Sequence, residues 1–357
     1  MPVTLKTAQT DYSIELNQVI EDFFTRSSHK AASISPYYQD LWKELTRLVQ
    51  SGGKRLRPKM TLLAYQAFGG TDVASVIPAA AAQELLHFGM LIHDDIIDRD
   101  YVRYGVENIA GAYDKNYASM VTQAVDRLHY SHSAAMMAGD LMISGAYQLM
   151  AESDIDPAKI LQAQTLLAKG IFEVVGGELL DTESAFREIG AIKAETVALY
   201  KTASYTFIVP MLIGSLLADA PKADQAYLRL FAENLGIAFQ LQDDIIGVFG
   251  SEEETGKSAS SDIREGKRTF MVEQFYLQAN EDQVAVFDRH FGNQHASSEE
   301  VAVVRQLLID AGARQKTEEA IARYEVKARS ALDSLAIDAV YGEQLDELIT
   351  IATRRVK

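Results

Sequence analysis

Two acidic runs hold most of the chemistry this sequence can offer. The first, His93-Asp94-Asp95-Ile96-Ile97-Asp98, closes the apolar run Leu85–Ile92. On a helix, Asp94 and Asp98 share a face, where unpaired like charges cost a few tenths of a kcal/mol, roughly 0.2–0.5. Carboxylates at the mouth of an apolar pocket suit hard divalent cations that bridge to phosphate oxygens. The second run is Asp243-Asp244, within the helix-compatible, largely apolar stretch from Gly236 to Gly250. Taken singly, either pair also reads as an acidic patch on an ordinary helix. Together, each ending an apolar segment, they could hold several cations across one cavity. That arrangement suits a diphosphate leaving group, whose negative charge grows as its carbon–oxygen bond breaks.

Basic residues are gathered in two places. Gly52-Gly53-Lys54-Arg55-Leu56-Arg57-Pro58 sets Lys54, Arg55 and Arg57 between a flexible glycine pair and a helix-opening proline. It reads as a phosphate clamp, or as a basic loop paired with surface acids. The Gly-x4-Gly-Lys-Ser/Thr spacing of a Walker A loop is absent. Thr255-Gly256-Lys257-Ser258, followed by Ser261 through Thr269 with Lys267, could close over bound phosphate, though such loops are common.

The elements that must carry these groups are helical. Apolar residues recur at three- and four-residue spacing, as in Leu41–Gln50 and Leu56–Phe68. Breaks are expected at Gly52-Gly53, Gly69-Gly70, Asp156-Pro157, Gly176-Gly177, Ala220-Pro221 and across 250–266. The expectation is one all-α domain over 1–357, about ten helices around an apolar centre. The stretch 106–132 reads as an irregular connecting loop, and 280–300 as weakly patterned.

Composition narrows the class. Hydrophobic residues make up 48% of the 357, enough for a large core. The formal net charge of −16 argues against nucleic acid as a partner, because that affinity rests on cations. There is no cysteine, which excludes disulfides and thiol chemistry and fits a reducing, cytoplasmic location. The amino-terminal stretch lacks an apolar run after a basic start, so no signal peptide is expected. The longest uncharged stretch, Thr202–Ala218, holds Ser204, Thr206, Pro210 and Gly214 and reads as a buried helix, not a transmembrane segment.

In this order, GGKRLRP (52–58), DDIID (94–98), Gly139-Asp140, Lys201-Thr202, FQLQDD (239–244) and GK…DIREGKRT (256–269) resemble the trans-isoprenyl diphosphate synthase, or polyprenyl synthetase, family. The match runs over about residues 50–270 and is similar to the geranylgeranyl type. The resemblance implies the all-α isoprenoid synthase fold, a helical bundle around a central cavity, a homodimer, and several Mg2+ ions bridging the two aspartate motifs and the diphosphate. It implies metal ligation by Asp94, Asp98 and Asp243, with Asp95 and Asp244 beside them. Arg103, Lys257 and Lys267 would hold the allylic diphosphate, and Lys54, Arg57 and His87 the isopentenyl diphosphate. Lys201, Thr202 and Gln240 would line the reacting carbons. Three positions depart from the pattern: Tyr104 replaces an arginine, Gly247 replaces a third aspartate, and Gly177-Glu178-Leu179-Leu180-Asp181 replaces Gly-Gln-x-x-Asp.

In this family the turn before the first aspartate forms the pocket floor. Here Met90 and Gly89 occupy it, neither aromatic, and Leu85 and Leu86 lie one turn deeper, about 5–6 Å. The expected product is geranylgeranyl diphosphate or longer. Two other readings share part of the pattern. A non-catalytic subunit of a heteromeric prenyl synthase would be expected to lose acidic motifs. A class I terpene cyclase would lack the GGKRLRP clamp.

Overall fold

The computed structural model describes residues 12–250 and 261–354. They are all-α apart from one hairpin, and form two compact units, 12–164 and 165–354.

In the first unit, α1 (Ser13–Ala32) and α2 (Pro36–Ser51) form a pair joined through Phe23, Phe24 and Trp42, whose rings meet edge to face at 5.7–6.0 Å. Ser35 caps α2 by accepting from the Tyr37 amide at 3.2 Å, and Pro36 opens the helix. α3 (Leu56–Ala67) leads to α4 (Val73–Ile97), a long alanine-rich helix buried along most of its length. β1 (Val102–Arg103) and β2 (Val106–Glu107) pair antiparallel around Tyr104 and Gly105, both at positive φ (54° and 76°), as a two-residue hairpin turn requires. α5 (Ile109–Asn116) and α6 (Ala124–Ala151) follow, and α6 lies along α4. The stretch 106–132 is therefore no loop: it holds β2, α5 and the first turns of α6. Asn108 caps α5 through Gly111 N at 2.9 Å, a signal hidden among polar residues.

The helix α7 (Pro157–Ser184) runs from the first unit into the second. It continues straight through Gly176-Gly177, where a break was expected. Gly177 serves an approach instead: a side chain there would overlap the backbone of Tyr200 and Lys201. Along α7, Thr165, Ala168, Phe172, Val175 and Leu179 form an exposed row at three- and four-residue spacing, with Phe172 82% exposed. α8 (Ala194–Val197) passes into a π-helix over Ala198–Ile208 and then α9 (Val209–Leu217). Long π-helical runs are rare and concentrate at functional sites. On the side facing α10 (Lys222–Phe249), Gly236 admits the π-helix, since a Cβ there would overlap Ala203.

Beyond α10, Phe275, Phe287 and Phe291 stack at 4.2 and 4.6 Å in a secondary core with Val248, Ile263 and Leu308. The 280–300 stretch proves to be well specified. Asn280/Gln283 and Ser297/Glu300 form capping boxes that start Glu281–His290 and Ser298–Asp310.

Val73–Ile97 and Ala194–Leu217 are long and apolar enough to cross a membrane. However, 78% and 72% of their most apolar windows are buried within the protein, as core helices are.

Candidate active site

In the first unit the aspartate motif closes α4. The helix ends at Ile97, and Asp98 N still bonds Asp94 O at 2.8 Å, so the two residues remain stacked one turn apart. Carboxylate oxygens of Asp94 and Asp98 lie within 4.8 Å of each other, a spacing one hard cation can bridge. Both are at least partly exposed, whereas Asp95 is only 2% exposed. Arg103 Nε donates to Asp95 Oδ1 at 2.9 Å, and Arg103 Nη2 reaches Asp94 Oδ2 at 3.4 Å. Burial pushes the Asp95 pKa up, against the pull of that arginine. Asp95 is thus the anchor of Arg103.

The basic cluster divides in the same way. Arg55, at φ 50°, turns inward: it donates to Glu84 at 3.0 Å and to the carbonyls of Val49 and Gly52. Its guanidinium also lies over the Phe88 ring at 5.5 Å. Arg55 is therefore a structural cation, while Lys54 is exposed and Arg57 is buried in the first turn of α3. Half-buried His87 sits among these arginines. Burial first, and then the charges of Arg57, Arg103 and Arg55, hold its pKa well below the ordinary imidazole value, so it is neutral at pH 7. Tyr104 lies on the bare backbone of Gly52, whose Cβ would come within 2.8 Å of the ring. Where the family pattern has an arginine, this chain braces its clamp loop.

His93 bonds the Met136 carbonyl at 3.1 Å and fills the space a side chain at Gly139 would need, so it is a docking residue between α4 and α6. Gly89 also faces α6: a Cβ there would meet Gly139 O and Ile143 at 3.1 Å. It does not open onto free space. Met90 is partly exposed.

In the second unit, the π-helix and α10 bring Lys201, Thr202, Gln240 and Asp244 together with Lys267 around a cavity of about 100 Å³. Thr202 Oγ1 donates to Gln240 Oε1 at 2.5 Å, and Gln240 Nε2 donates to Asp244 Oδ1 at 2.8 Å. Asp244 is buried, and desolvation first, offset in part by Gln240, pushes its pKa up to about 7. Like Asp95, it is buried and held by a side chain, while Asp243 stays partly exposed. Lys201 Nζ lies 2.9 Å from Glu178 and 2.7 Å from Asp181. The Gly-Glu-x-x-Asp variant thus admits the π-helix at its glycine and grips the lysine with its acids. Burial acts to lower the Lys267 pKa, but Asp262 and Asp181 more than reverse it, so the ammonium stays charged. Lys257 lies outside the described residues.

The first aspartate motif sits at the C-terminal end of α4, with no basic residue in the last turn. The helix dipole disfavours anions there, so a bound cation would be welcome. Hard carboxylate oxygens are the donor type that Mg2+ takes.

The sequence matches the family model for polyprenyl synthetase over residues 39–308. The chain belongs to the polyprenyl synthetase family. This polyprenyl synthetase is 30% identical to the geranylgeranyl diphosphate synthase of Methanosarcina mazei over 90% of this chain and 93% of that one. It is 30% identical to the geranylfarnesyl diphosphate synthase of Aeropyrum pernix, over 87% and 92%. The crystal structure of geranylgeranyl pyrophosphate synthase from Corynebacterium glutamicum, complexed with isoprenyl diphosphate and magnesium, superposes with a TM-score of 0.88 at 28% identity, covering 95% of this chain and 97% of that one.

Sequence reading of this polyprenyl synthetase missed Glu84 and Asp181 as partners of cations. A lone glutamate in the alanine-rich run of α4 was the available signal for the first.

Proposed function

We propose that this chain condenses isopentenyl diphosphate with an allylic diphosphate (dimethylallyl, geranyl or farnesyl) to give trans-geranylgeranyl diphosphate or a longer product. One observation carries the reading. In each aspartate motif the first carboxylate is accessible and the second is buried and held, by Arg103 in one and Gln240 in the other. Motifs built this way present ligands in fixed positions.

Asp94 and Asp98, with Asp243, are the ligands for several Mg2+ ions. Bound there, the metal supplies charge to the departing diphosphate. Arg103, Lys257 and Lys267 hold the allylic diphosphate, and Lys54, Arg57 and neutral His87 the isopentenyl diphosphate. The allylic carbon–oxygen bond breaks with its electron pair leaving on the diphosphate. Lys201, Thr202 and Gln240 set dipoles beside the resulting cation. The isopentenyl double bond then forms the new carbon–carbon bond, and its C2 proton passes to the released diphosphate. Met90 stands at the pocket floor.

A single family match that runs through both compact units supports their acting as one polyprenyl synthetase domain. The exposed apolar row on α7 supports a homodimer. The absence of cysteine supports a cytoplasmic location.

The experiment is mass spectrometry of products from purified protein, isopentenyl diphosphate and each primer in turn, with Mg2+ or with chelator. A metal-dependent ladder ending at one length is expected. No elongation by folded protein with any primer would overturn the reading.

A further inference from the structure

The second aspartate motif reads Asp243-Asp244-Ile245-Ile246-Gly247, with glycine one turn beyond Asp243. That position is not empty. A Cβ built at Gly247 would fall on the carboxylate of Asp262, with Oδ2 nearest and Oδ1 at 3.5 Å. Asp262 belongs to the short helix Ser261–Glu265, and its side chain is 16% exposed. Its Oδ1 stands 4.0 Å from Lys267 Nζ, and its carbonyl accepts from Lys267 N at 3.0 Å.

The segment is anchored from behind. Ile263 is fully buried, and its carbonyl accepts from Gly292 N at 2.8 Å. Arg264 donates to the Ala296 carbonyl at 3.2 Å, and Gly266 backs onto Gly292 so closely that a Cβ would come within 2.9 Å. Asp262 is thus pressed onto α10 by a fixed scaffold.

We propose that Asp262 supplies, from outside α10, the carboxylate that Gly247 leaves out of the second aspartate motif, and that it acts as a positioning residue for Lys267 at the metal–diphosphate site. Glycine at 247 is then a requirement of this arrangement, because any side chain there displaces Asp262. The inference rests on the prenyl synthase reading.

The test compares Asp262→Ala, Gly247→Asp and the double variant Gly247→Asp/Asp262→Ala. Two readouts are used: KM for each substrate separately, and calorimetric binding of inorganic pyrophosphate in the presence of Mg2+. Asp262→Ala is expected to weaken allylic KM and pyrophosphate binding by about 10–100-fold, with isopentenyl KM unchanged. Gly247→Asp is expected to weaken both similarly by crowding two carboxylates. The double variant, with one carboxylate returned to α10, should recover most of the loss. Should Gly247→Asp fail to fold, Gly247→Ala replaces it and is expected to weaken the same two quantities at native melting temperature. A Gly247 variant that binds pyrophosphate like wild type, or a double variant no better than Asp262→Ala, would overturn the proposal. Wild-type protein that binds magnesium pyrophosphate but elongates nothing would sink the functional reading alone, because the binding comparison among variants still stands.

Discussion

Gln240 donates to Asp244 at 2.8 Å while accepting from Thr202 at 2.5 Å, so one amide joins the buried aspartate of α10 to the π-helix. Burial makes this acid difficult to ionise, the Gln240 amide offsets that in part, and the two bonds fix its place.

Asp244 therefore makes metal-free stability depend on pH. Its folded pKa, about 7, lies above the unfolded value near 4. Its contribution is complete below about pH 4 and is lost as pH rises through about 7. In chelator-treated protein, Asp244→Asn should flatten this part of the stability profile, read from urea midpoints between pH 5 and 8.

His87 carries the opposite sign. Its folded pKa lies below the ordinary imidazole value, so its contribution is present above about pH 6.5 and is lost as pH falls toward the folded value. His87→Gln should lose less stability than wild type between pH 7 and 5. Because Arg57, Arg103 and Arg55 help to depress this pKa, bound inorganic pyrophosphate should raise it, a change that proton NMR titration can follow.

The Arg55–Glu84 pair is enclosed, with side chains 14% and 2% exposed. Glu84→Ala leaves a guanidinium buried without its counter-ion and should cost about 3–5 kcal/mol, measured by equilibrium urea unfolding. Lys54→Ala, at an exposed position, should leave stability within about 0.5 kcal/mol while weakening isopentenyl diphosphate KM.

Met90 and Gly89 should separate cleanly. Met90→Phe is expected to shorten the main product, read by mass spectrometry, with the fold intact. Gly89→Phe would drive a ring into the Gly139 carbonyl and Ile143 of α6, and should destabilise by about 1–3 kcal/mol or more.

The positions of Asp94, Asp98 and Asp243 were legible because a four-residue spacing and an apolar run are properties of the sequence itself. The inward turn of Arg55 was not, since a left-handed residue with no glycine carries no composition signal. Asp95 lies next to Asp94 and so points to another helix face, but only the fold shows Arg103 waiting there. Gly177 and Gly247 read as a break and a missing acid. In each case the glycine answers to a group distant in the chain, Lys201 or Asp262. The capping boxes at Asn280 and Ser297 were fully written in the sequence, and local polarity masked them.

The helix α7 grips Lys201 with Glu178 and Asp181 on one side and shows Phe172, Val175 and Leu179 to solvent on the other. A single rod that serves both faces would tie the chemistry to protein concentration if the row is an interface between copies. If a second copy covers the apolar row, dilution below the dimer dissociation constant would loosen the rod and the lysine it steadies. Specific activity would then fall with dilution, before any unfolding is seen.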